Sequence, residues 1–288
     1  METMPGPRIA IATCAEYPAP KTDDNLLREE LRAGGAEAVS VVWDEAGIDW
    51  SGFDLCLVRS TWDYHEKHAE FLEWARRVEA ATTLTNPAEV IAWNSDKTYL
   101  RELGEQVRTV PTVWVGQGSA TDLEGILAER EWDEAVVKPV VDLGAKNLQR
   151  VRRDVESSAL EEVLQRHDAL VQPFLPSLEE QGETSLVYIA GELSHTARKR
   201  PAAGDFRVQS IWGGTVAAAE PEPAQVELAQ RVLAQLDEVP LYARVDLVTG
   251  LDGEPCLIEL ELIEPNLYLS TDPGSEKRLA DAVVTQLS

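Results

Sequence analysis

The sequence contains few cysteines, few basic residues and no long apolar run. Its three cysteines, Cys14, Cys56 and Cys256, lie far apart, which argues against a disulfide framework or a cysteine metal site and favours a reducing compartment. No segment approaches the roughly 20 consecutive apolar residues of a membrane span. Residues 1–7 also lack the basic and apolar regions of a signal peptide. We therefore expect a cytoplasmic protein.

The shortage of basic residues leaves 51 acidic side chains against 26 basic ones and a formal net charge of -25. This charge repels nucleic acids and anionic membrane surfaces, so neither is expected as a partner. The apolar fraction of 44% is that of an ordinary globular protein, and 288 residues suffice for one large domain or two to three small ones. Only seven of the basic residues are lysines, so the position of each lysine is informative.

The first part of the chain alternates strands and helices. Strands are predicted at residues 8–13, 38–43 and 55–59, and helices at about 23–35 and 67–80. This rhythm predicts a small parallel sheet with helices on its faces. The first strand is not followed by Gly-x-Gly-x-x-Gly, which argues against a dinucleotide-binding domain.

The remainder is richer in antiparallel patterns. The predicted helices lie at about 95–103, 121–130, 156–166 and 225–236, and the predicted strands at 112–115, 135–138, 169–175, 184–189 and 192–198. We therefore expect an α/β (α+β) fold of three lobes, with boundaries near residues 85 and 171. A small parallel-sheet lobe (1–85) would precede two α+β lobes (86–170 and 171–288).

A predicted hairpin near the C-terminus gathers three carboxylates on one face. Residues 243–249 and 256–266 have strand patterns, and the Asp-Gly pair between them is typical of a two-residue turn. This register pairs the carboxylates and one arginine as Asp246 with Glu259 and Arg244 with Glu261, and it assigns Val245, Leu247, Ile258 and Leu260 to the core face. Opposed like charges call for a cation, and hard oxygen ligands suit Mg²⁺. A solvated polar face is the alternative, and a longer loop would shift the register.

Two lysines occupy positions that packing explains poorly. Lys138 ends the strand 135–139, and Lys97 is predicted to lie just inside the helix that Asn94, Ser95 and Asp96 open. Such ammonium groups can contact phosphate oxygens as point charges. Two solvated lysines are the alternative.

The order of these features resembles the ATP-grasp superfamily. The chain has a lysine, a Lys-Pro strand end, a Gln-Pro-Phe hinge, and then Arg-x-Asp and Glu-x-Glu strands. It is most similar to the branch that contains glutathione synthetase and the ribosomal-protein glutamate ligases, which residues 195–207 and Gly213-Gly214 also match. Within that branch, Arg59–Tyr64 and Glu259–Pro265 resemble the cyclo-ligases that form the D-cycloserine ring from O-ureido-D-serine.

The resemblance implies ATP and Mg²⁺ as cofactors and assigns roles to particular residues. The groups around ATP would be Lys97 and Lys138 at the phosphates, Gln172, Pro173, Phe174 and Leu175 at the adenine, and Glu179 or Glu183 at the ribose. Two Mg²⁺ ions would be held by Asp246, Glu259 and Glu261. Arg244 would stabilise the negative charge of the transferring group, which is the principal catalytic need of phosphoryl transfer.

The candidate substrate residues are less well determined. Arg59 ends a strand of the first lobe, where open α/β sheets place ligands, and a basic cluster in an acidic protein suits anionic groups. The full set of candidates is Arg59, Ser60, Thr61, Lys199, Arg200, Arg207 and Asn266. Strand alternation places Arg198 and Arg200 on the face opposite Lys199, and ordinary salt bridging is the alternative for such residues.

Several residues depart from the family or from a simple assignment. Many relatives have asparagine in place of Glu261, and the loop 140–148 contains a single glycine, which makes it a less adaptable phosphate cradle. Lys146 in that loop is expected to be exposed. The helical positions of His65 and His68 also predict exposure, His195 is the one histidine predicted near the site, and Trp62 and Trp212 are assigned to the core.

The function expected from this resemblance is ATP-dependent carbon–nitrogen ligation. A carboxylate or related acyl group of a small amino-acid-like substrate would be activated as an acyl phosphate and attacked by an amine, with release of ADP and phosphate. The amine could belong to the same molecule, giving ring closure, or to a second amino acid. A nucleotide-binding module with little catalysis, and a phosphotransferase that stops at the acyl phosphate, are the alternatives. A homodimer is left open.

Overall fold

The first of three sheets is parallel because its strands are apolar on both faces. In the computed structural model, which describes residues 6–287, this sheet has the order β2-β1-β3-β4. Its elements are β1 (Arg8–Thr13), α1 (Thr22–Ala33), β2 (Glu37–Val42), β3 (Leu55–Ser60), α2 (His68–Glu79) and β4 (Thr83–Thr85). Helix α1 packs on the face that carries Ile9 and Ile11, and α2 packs on the opposite face. The predicted parallel sheet is confirmed.

Two helices connect the first sheet to the rest. They are α3 (Ala88–Asn94) and α4 (Tyr99–Leu103), separated by a turn at residues 95–98. The prediction of one helix from Ser95 to Leu103 is therefore wrong, and Lys97 lies in the turn between the helices. Tyr99, Leu100 and Leu103 pack against the third sheet.

The second sheet is antiparallel and presents one face to helices and the other to a cavity. Its order is β5-β8-β6-β7. Its elements are β5 (Val113–Val115), α5 (Leu123–Glu129), β6 (Glu134–Pro139), β7 (Gln149–Arg152), α6 (Ala159–Leu164) and β8 (Ala169–Pro173). Ala135 and Val137 pack under the two helices, whereas Val136, Lys138 and Gln172 line the cavity. The period of two residues along a strand produces this division.

The third sheet is antiparallel, with the order β11-β10-β9-β12-β13. Its elements are α7 (Ser177–Glu180), β9 (Glu183–Ile189), β10 (Glu192–Arg200), β11 (Thr215–Ala218), α8 (Pro223–Leu233), β12 (Tyr242–Thr249), β13 (Pro255–Glu261) and α9 (Ser275–Thr285). Helix α8 packs on the apolar face, and α9 packs against the first sheet's core, beside α1. Sequence reasoning did not predict β4, α3, β7, α7, β11 or α9.

Buried hydrogen bonds join the first sheet to the third. The Asn86 amide donates to the carbonyl oxygens of Leu262 (2.7 Å) and Tyr242 (3.1 Å), and its oxygen accepts from the amide of Leu241 (2.9 Å). The Asp23 carboxylate accepts from the backbone of Leu269 at 3.0 Å. These contacts fix the first lobe on the third sheet and thereby fix the cavity that lies between them.

The predicted boundaries near residues 85 and 171 stay a prediction, and residue 171 falls within β8. Residues 1–5, which include most of the segment used to argue against a signal peptide, lie outside the described part of the chain. Across residues 6–287, every helix is too short or too polar to traverse a lipid bilayer.

The Asn86 contacts make a stability prediction. Asn86→Ala leaves three buried backbone groups unpaired, so the free energy of unfolding should fall by about 3 kcal/mol or more, measured by chemical denaturation. The matched control is Asn25→Ala, which removes one contact with Arg28 on α1 and should cost less than about 0.5 kcal/mol. Equal effects of the two changes would show that Asn86 does not hold the lobes together.

Candidate active site

A cavity of about 740 Å³ lies where the three sheets meet. Its volume is within the range typical of small-molecule sites. The first sheet contributes Arg59, the second contributes Lys138 and Gln172, and the third contributes Arg244 and Glu259. Because each of these elements comes from a different part of the chain, one ligand in the cavity would contact all three lobes.

The carboxylate-bearing hairpin forms one wall of this cavity. Asp246 pairs with Glu259, and Arg244 pairs with Glu261, as the sequence predicts. The predicted two-residue turn is wrong, because Gly250 bonds to Glu254 and encloses a three-residue loop. Gly253 in this loop has a φ of 89°, which glycine adopts without strain.

A β-bulge at Ile258 compensates for the extra loop residue. Near the loop Leu247 pairs with Leu257, whereas beyond the bulge Asp246 pairs with Glu259. Leu257 therefore occupies the core position assigned to Ile258, and its backbone bonds to residues 108–110 on the other side of the strand. Ile258 instead lines the cavity. A bulge re-aims side chains in this way by adding one unpaired residue.

Cations surround the three carboxylates of the hairpin. Arg244 donates through Nη2 to Asp246 at 2.8 Å and also forms an ion pair with Glu261. Lys199 lies 3.0 Å from Asp246 and also pairs with Glu183. One oxygen from each of Asp246, Glu259 and Glu261 lies within 4.8 Å of the other two. The sheet therefore tolerates this density of negative charge because positive charges are interleaved with it.

The protonation behaviour of the carboxylates differs along the wall. Burial raises the pKa of Asp246, but Arg244 and Lys199 outweigh it and hold this pKa below its usual value. The pKa of Glu261 is raised to about 7, because burial and the neighbouring carboxylates outweigh the effect of Arg244. Burial likewise raises the pKa of Glu183 to about 8, against the opposing charge of Lys199. A further positive charge at this wall would stabilise the ionised forms.

The two predicted phosphate lysines both reach the cavity. Lys97 Nζ donates to the carbonyl oxygen of Asp142 at 2.7 Å and lies 3.1 Å from Glu259. Lys138 is 7% exposed, and its ammonium has no hydrogen bond or ion pair within residues 6–287. Burial lowers the pKa of Lys138, which is the expected effect on an ammonium without a close counter-ion. An anionic ligand would supply the missing partner.

An apolar slot adjoins the predicted hinge. Gln172, Pro173 and Leu175 line the cavity, and Gln172 Nε2 donates to Thr112 Oγ1 at 2.9 Å. The apolar side chains that complete the slot are Val110, Val136, Leu178, Val208, Val216 and Ile258. A flat aromatic base fits such a lining.

Phe174 of the predicted hinge and Glu179, a predicted ribose ligand, lie outside the cavity. The Phe174 side chain packs under Arg150, whose guanidinium carbon is 3.5 Å from the ring centroid. The carboxylate of Glu179 pairs with the same arginine at 2.7 Å. Of the two ribose candidates, only Glu183 lines the cavity.

The predicted substrate residues of the first lobe form a buried network. Arg59 donates to Asp24 at 2.9 Å and to the carbonyl oxygen of Pro265 at 2.8 Å, and its Nη1 is buried without a partner. Ser60 donates to Asp24 and does not line the cavity, and Thr61 is fully buried. Arg59 is thus the one member of this segment's candidate set that the structure brings to the cavity.

The basic candidates of the third lobe divide as strand alternation predicts. Lys199 lines the cavity and is already ion-paired, whereas Arg200 points outward to the carbonyl oxygen of Glu180. Arg207 and Asn266 also line the cavity. The Arg207 guanidinium is held by Asp205 at 2.7 Å and stacks 3.5 Å from the Trp212 ring centroid.

Other predictions need correction. His65 and His68 are half-buried, and His68 bonds to Ser95 Oγ at 2.8 Å. His195 bonds to the carbonyl oxygen of Leu267 at 2.7 Å and does not line the cavity. Trp62 lines the cavity and Trp212 is only half-buried, so neither lies in the core as predicted. Lys146 is exposed as expected and also lines the cavity.

Sequence reasoning also missed functional candidates. Glu264 and Tyr64 are buried and line the cavity, although the pattern gave neither a role. The sequence offered one indication of Glu264, because this carboxylate follows Glu261 by three residues, just after the end of a strand.

The donor set fits a divalent cation and a polyphosphate. Three clustered carboxylate oxygens are the hard ligands that Mg²⁺ prefers, and a bound cation would oppose the burial and the neighbouring carboxylates that raise the pKa of Glu261. Within residues 6–287, the Lys138 ammonium lacks an anionic partner. A complex of a metal ion with a nucleotide polyphosphate satisfies both needs at once.

Comparison with known proteins divides the chain into two matched regions. Residues 9–86 match the family described as the D-cycloserine synthetase DcsG N-terminal domain. Residues 107–267 match the family described as the prokaryotic glutathione synthetase ATP-grasp domain.

Individual relatives agree with these matches. The chain is 32% identical over 276 residues to the cycloserine biosynthesis protein DcsG of Streptomyces lavendulae, covering 91% of this chain and 92% of that protein. It is 28% identical over 221 residues to glutathione synthetase of Prochlorococcus marinus, covering 75% and 67%.

Solved structures extend the similarity to the fold. The crystal structure of D-cycloserine synthetase DcsG superposes with a TM-score of 0.86 at 32% identity and covers 98% of this chain and 100% of that chain. D-alanine–D-alanine ligase from Bacillus anthracis has a TM-score of 0.69 at 14% identity, covering 98% and 97%, and shares the fold alone.

The carboxylate wall predicts a metal-dependent stabilisation. Mg²⁺ added with ADP should raise the melting temperature above that with ADP and EDTA, because a ligand at about 100 times its Kd stabilises by about 2.7 kcal/mol. Glu259→Gln should lose most of the Mg²⁺-dependent increase, while the exposed Glu89→Gln should keep it. An unchanged increase in Glu259→Gln would contradict the metal assignment.

The unpaired ammonium predicts a trade-off between stability and binding. Lys138→Met should raise the free energy of unfolding of the ligand-free protein by about 1 kcal/mol, because a buried charge without a partner is removed. The same change should weaken ADP binding, measured by calorimetry. Lys277→Met, on an exposed helix face, should change neither quantity appreciably. A destabilised Lys138→Met with normal ADP affinity would refute this account of Lys138.

Proposed function

Because this chain belongs to the ATP-grasp ligase family, we propose that it uses ATP to join a carboxyl carbon to a nitrogen. The carboxylate, or a related acyl group, of a small amino-acid-like substrate is activated as an acyl phosphate. A nitrogen then displaces phosphate, and ADP and phosphate are released. Membership of the family makes the chain an ATP-dependent ligase, and the acyl-phosphate route is our proposal.

One observation carries the proposal. Lys97, in the turn between α3 and α4, and Lys138, on the second sheet, line the same cavity as Glu259 and Glu261, and one oxygen of Asp246 lies within 4.8 Å of theirs. A protein that only bound a base or a sugar would have no need for clustered carboxylates in the same cavity as the unpaired ammonium of Lys138. Charge neutralisation and positioning are what phosphoryl transfer requires of a protein.

The chain's own residues suit distinct parts of such a reaction. Lys97 and Lys138 would hold phosphate oxygens, the slot beside Gln172 would take the base, and Glu183 would accept from the ribose. Asp246, Glu259 and Glu261 would hold Mg²⁺, which neutralises phosphate charge and aligns the phosphoryl group when bound.

Arg244 is proposed to stabilise negative charge at the reacting centre. Its donors are engaged with Asp246, Glu261 and the carbonyl oxygen of Asn266. These contacts use Nε, both N–H groups of Nη2 and one N–H group of Nη1, so the second N–H group of Nη1 is left to donate to a reacting group. Because burial, which lowers its pKa, is outweighed by the adjacent carboxylates, Arg244 stays charged throughout.

Ring closure is the specific reaction that the relatives favour. The two relatives that are 32% identical to the chain over nearly its whole length are named for D-cycloserine synthesis, and the match includes the N-terminal domain, which contributes Arg59 to the cavity. We propose that the nucleophilic nitrogen belongs to the activated molecule itself. A cytoplasmic location is proposed with it.

The test is mass spectrometry of products from the purified protein, ATP, Mg²⁺ and a panel of acids. The panel includes O-ureido-D-serine and pairs of amino acids. We expect a cyclised product with ADP and phosphate, and no turnover in Asp246→Asn, whose folding is checked by circular dichroism.

Other outcomes would change the assignment. Dipeptides from the amino-acid pairs, without a cyclised product, would replace ring closure by intermolecular ligation. Release of AMP and pyrophosphate would contradict the acyl-phosphate route. Nucleotide binding without ADP formation across the whole panel would refute ligase activity.

A further inference from the structure

Two polar side chains of the cavity are left without a partner by the proposed function. Glu264 is 5% exposed and Tyr64 is 6% exposed, and both line the cavity. Within residues 6–287, neither the Glu264 carboxylate nor the Tyr64 hydroxyl forms a hydrogen bond or an ion pair. Buried polar groups are nearly always paired, so an unpaired set in a cavity indicates a ligand.

The backbone around Glu264 is fixed from three sides. Trp62 Nε1 donates to the carbonyl oxygen of Glu264 at 3.1 Å, and Arg59 Nη2 donates to that of Pro265 at 2.8 Å. The Leu262 amide donates to Asn94 Oδ1 at 2.8 Å. The backbone of the segment after β13 is therefore held in place, with Glu264 at the cavity.

Tyr64 is held equally firmly on the first lobe. Its ring stacks on Phe71 with centroids 4.7 Å apart and an interplanar angle of 21°. Trp62, two residues before Tyr64, donates to the carbonyl oxygen of Glu264 at 3.1 Å, so Tyr64 and Glu264 lie on adjoining segments of the cavity wall. Two rigidly mounted acceptors on adjoining elements form a preorganised subsite.

The electrostatic surroundings of Glu264 favour a cationic or N–H-bearing ligand. Burial raises the pKa of Glu264, and Glu261 and Glu259 raise it further against the opposing charges of Lys97 and Arg244. A protonated amine, or an N–H group donated to the carboxylate, would relieve this repulsion and favour the ionised form of Glu264, which is the form that can accept a proton. A substrate carboxylate at the same place would increase it.

Glu264 lies near the part of the cavity where the C–N bond would form. It follows Glu261 by three residues, and the intervening Leu262 amide bonds to Asn94, three residues before Lys97, which lies 3.1 Å from Glu259 on the carboxylate wall. The transferred phosphoryl group must lie against that wall. Glu264 therefore lies beside that wall, where Trp62 and Arg59 of the first lobe contact the same segment.

We propose that Glu264 and Tyr64 form the subsite for the attacking nitrogen, and that Glu264 accepts its proton. As the C–N bond forms, the C–O bond of the acyl phosphate breaks, and its electron pair leaves with inorganic phosphate. The proton lost by the nitrogen passes to the Glu264 carboxylate, and the Tyr64 oxygen orients a second N–H. The inference rests on the proposed function and assigns the nucleophile's place within it.

The test separates the two half-reactions. Hydroxylamine traps an acyl phosphate as a hydroxamate without needing a protein base, whereas the cyclised or amide product requires the bound nitrogen. Both products are measured with ATP, Mg²⁺ and the panel substrate that the wild-type protein turns over. Glu264→Gln keeps the shape of the side chain but cannot accept the proton.

The expected results differ between variants. Glu264→Gln should lower formation of the C–N product by about 10²–10⁴-fold, the usual contribution of a general base, while hydroxamate formation stays near that of the wild type. Glu264→Asp should recover part of the lost rate. Tyr64→Phe should lower the C–N product by roughly 3–10-fold, the worth of one hydrogen bond. Glu89→Gln, an exposed change on α3, serves as the control.

Three outcomes would overturn the inference. An equal loss of hydroxamate and C–N product in Glu264→Gln would assign Glu264 to the fold or to the phosphoryl-transfer step. Normal formation of both products would show that it is not used. If Glu264→Gln unfolds, an unchanged C–N product in Tyr64→Phe overturns the subsite. A wild-type protein that forms neither product refutes the proposed function itself.

Discussion

Charge compensation on the polar face of the third sheet is the constraint on which the rest of the structure depends. Asp246, Glu259 and Glu261 share one face of a hairpin, and Glu183 lies on the adjoining strand. Arg244, Lys199 and Lys97 are interleaved with these carboxylates. Buried charges are tolerable only when they are paired, so each cation and the strand that carries it must hold its place. The compensation is incomplete, because Glu261 retains a raised pKa and Lys138 has a lowered one. Glu261 and Lys138 line the same cavity, where a metal–nucleotide complex would supply a positive charge to the one and a negative charge to the other.

Much of the fold was predictable from local patterns. The apolar strands and amphipathic helices of the first lobe gave the parallel sheet, and alternation placed Lys199 and Arg200 on opposite faces. The pairing of Asp246 with Glu259 was also predicted, although by two errors that cancel. The loop has one more residue than expected, and the bulge at Ile258 restores the register. A bulge depends on what lies beyond the strand, here residues 108–110, which no pattern within the hairpin reveals.

The remaining errors concern side chains whose partners are distant in sequence. Glu179 was a reasonable ribose candidate until Arg150, from another lobe, was seen to bind it. Lys199 was predicted to bind the substrate because of its positive charge, but it forms ion pairs with Asp246 and Glu183. Glu264 escaped notice because its importance lies in the absence of a partner within the described residues, which only the packed structure displays. Sequence patterns thus indicated which chemistry is present, and tertiary contacts decided which groups are available for it.

The most direct measurement is a crystal structure with Mn²⁺ and a non-hydrolysable ATP analogue, in which anomalous scattering locates the ions. The account predicts ions within coordination distance of Asp246, Glu259 and Glu261, and analogue phosphates in contact with Lys97 and Lys138. Ions bound away from all three carboxylates, or a nucleotide bound outside this cavity, would contradict it.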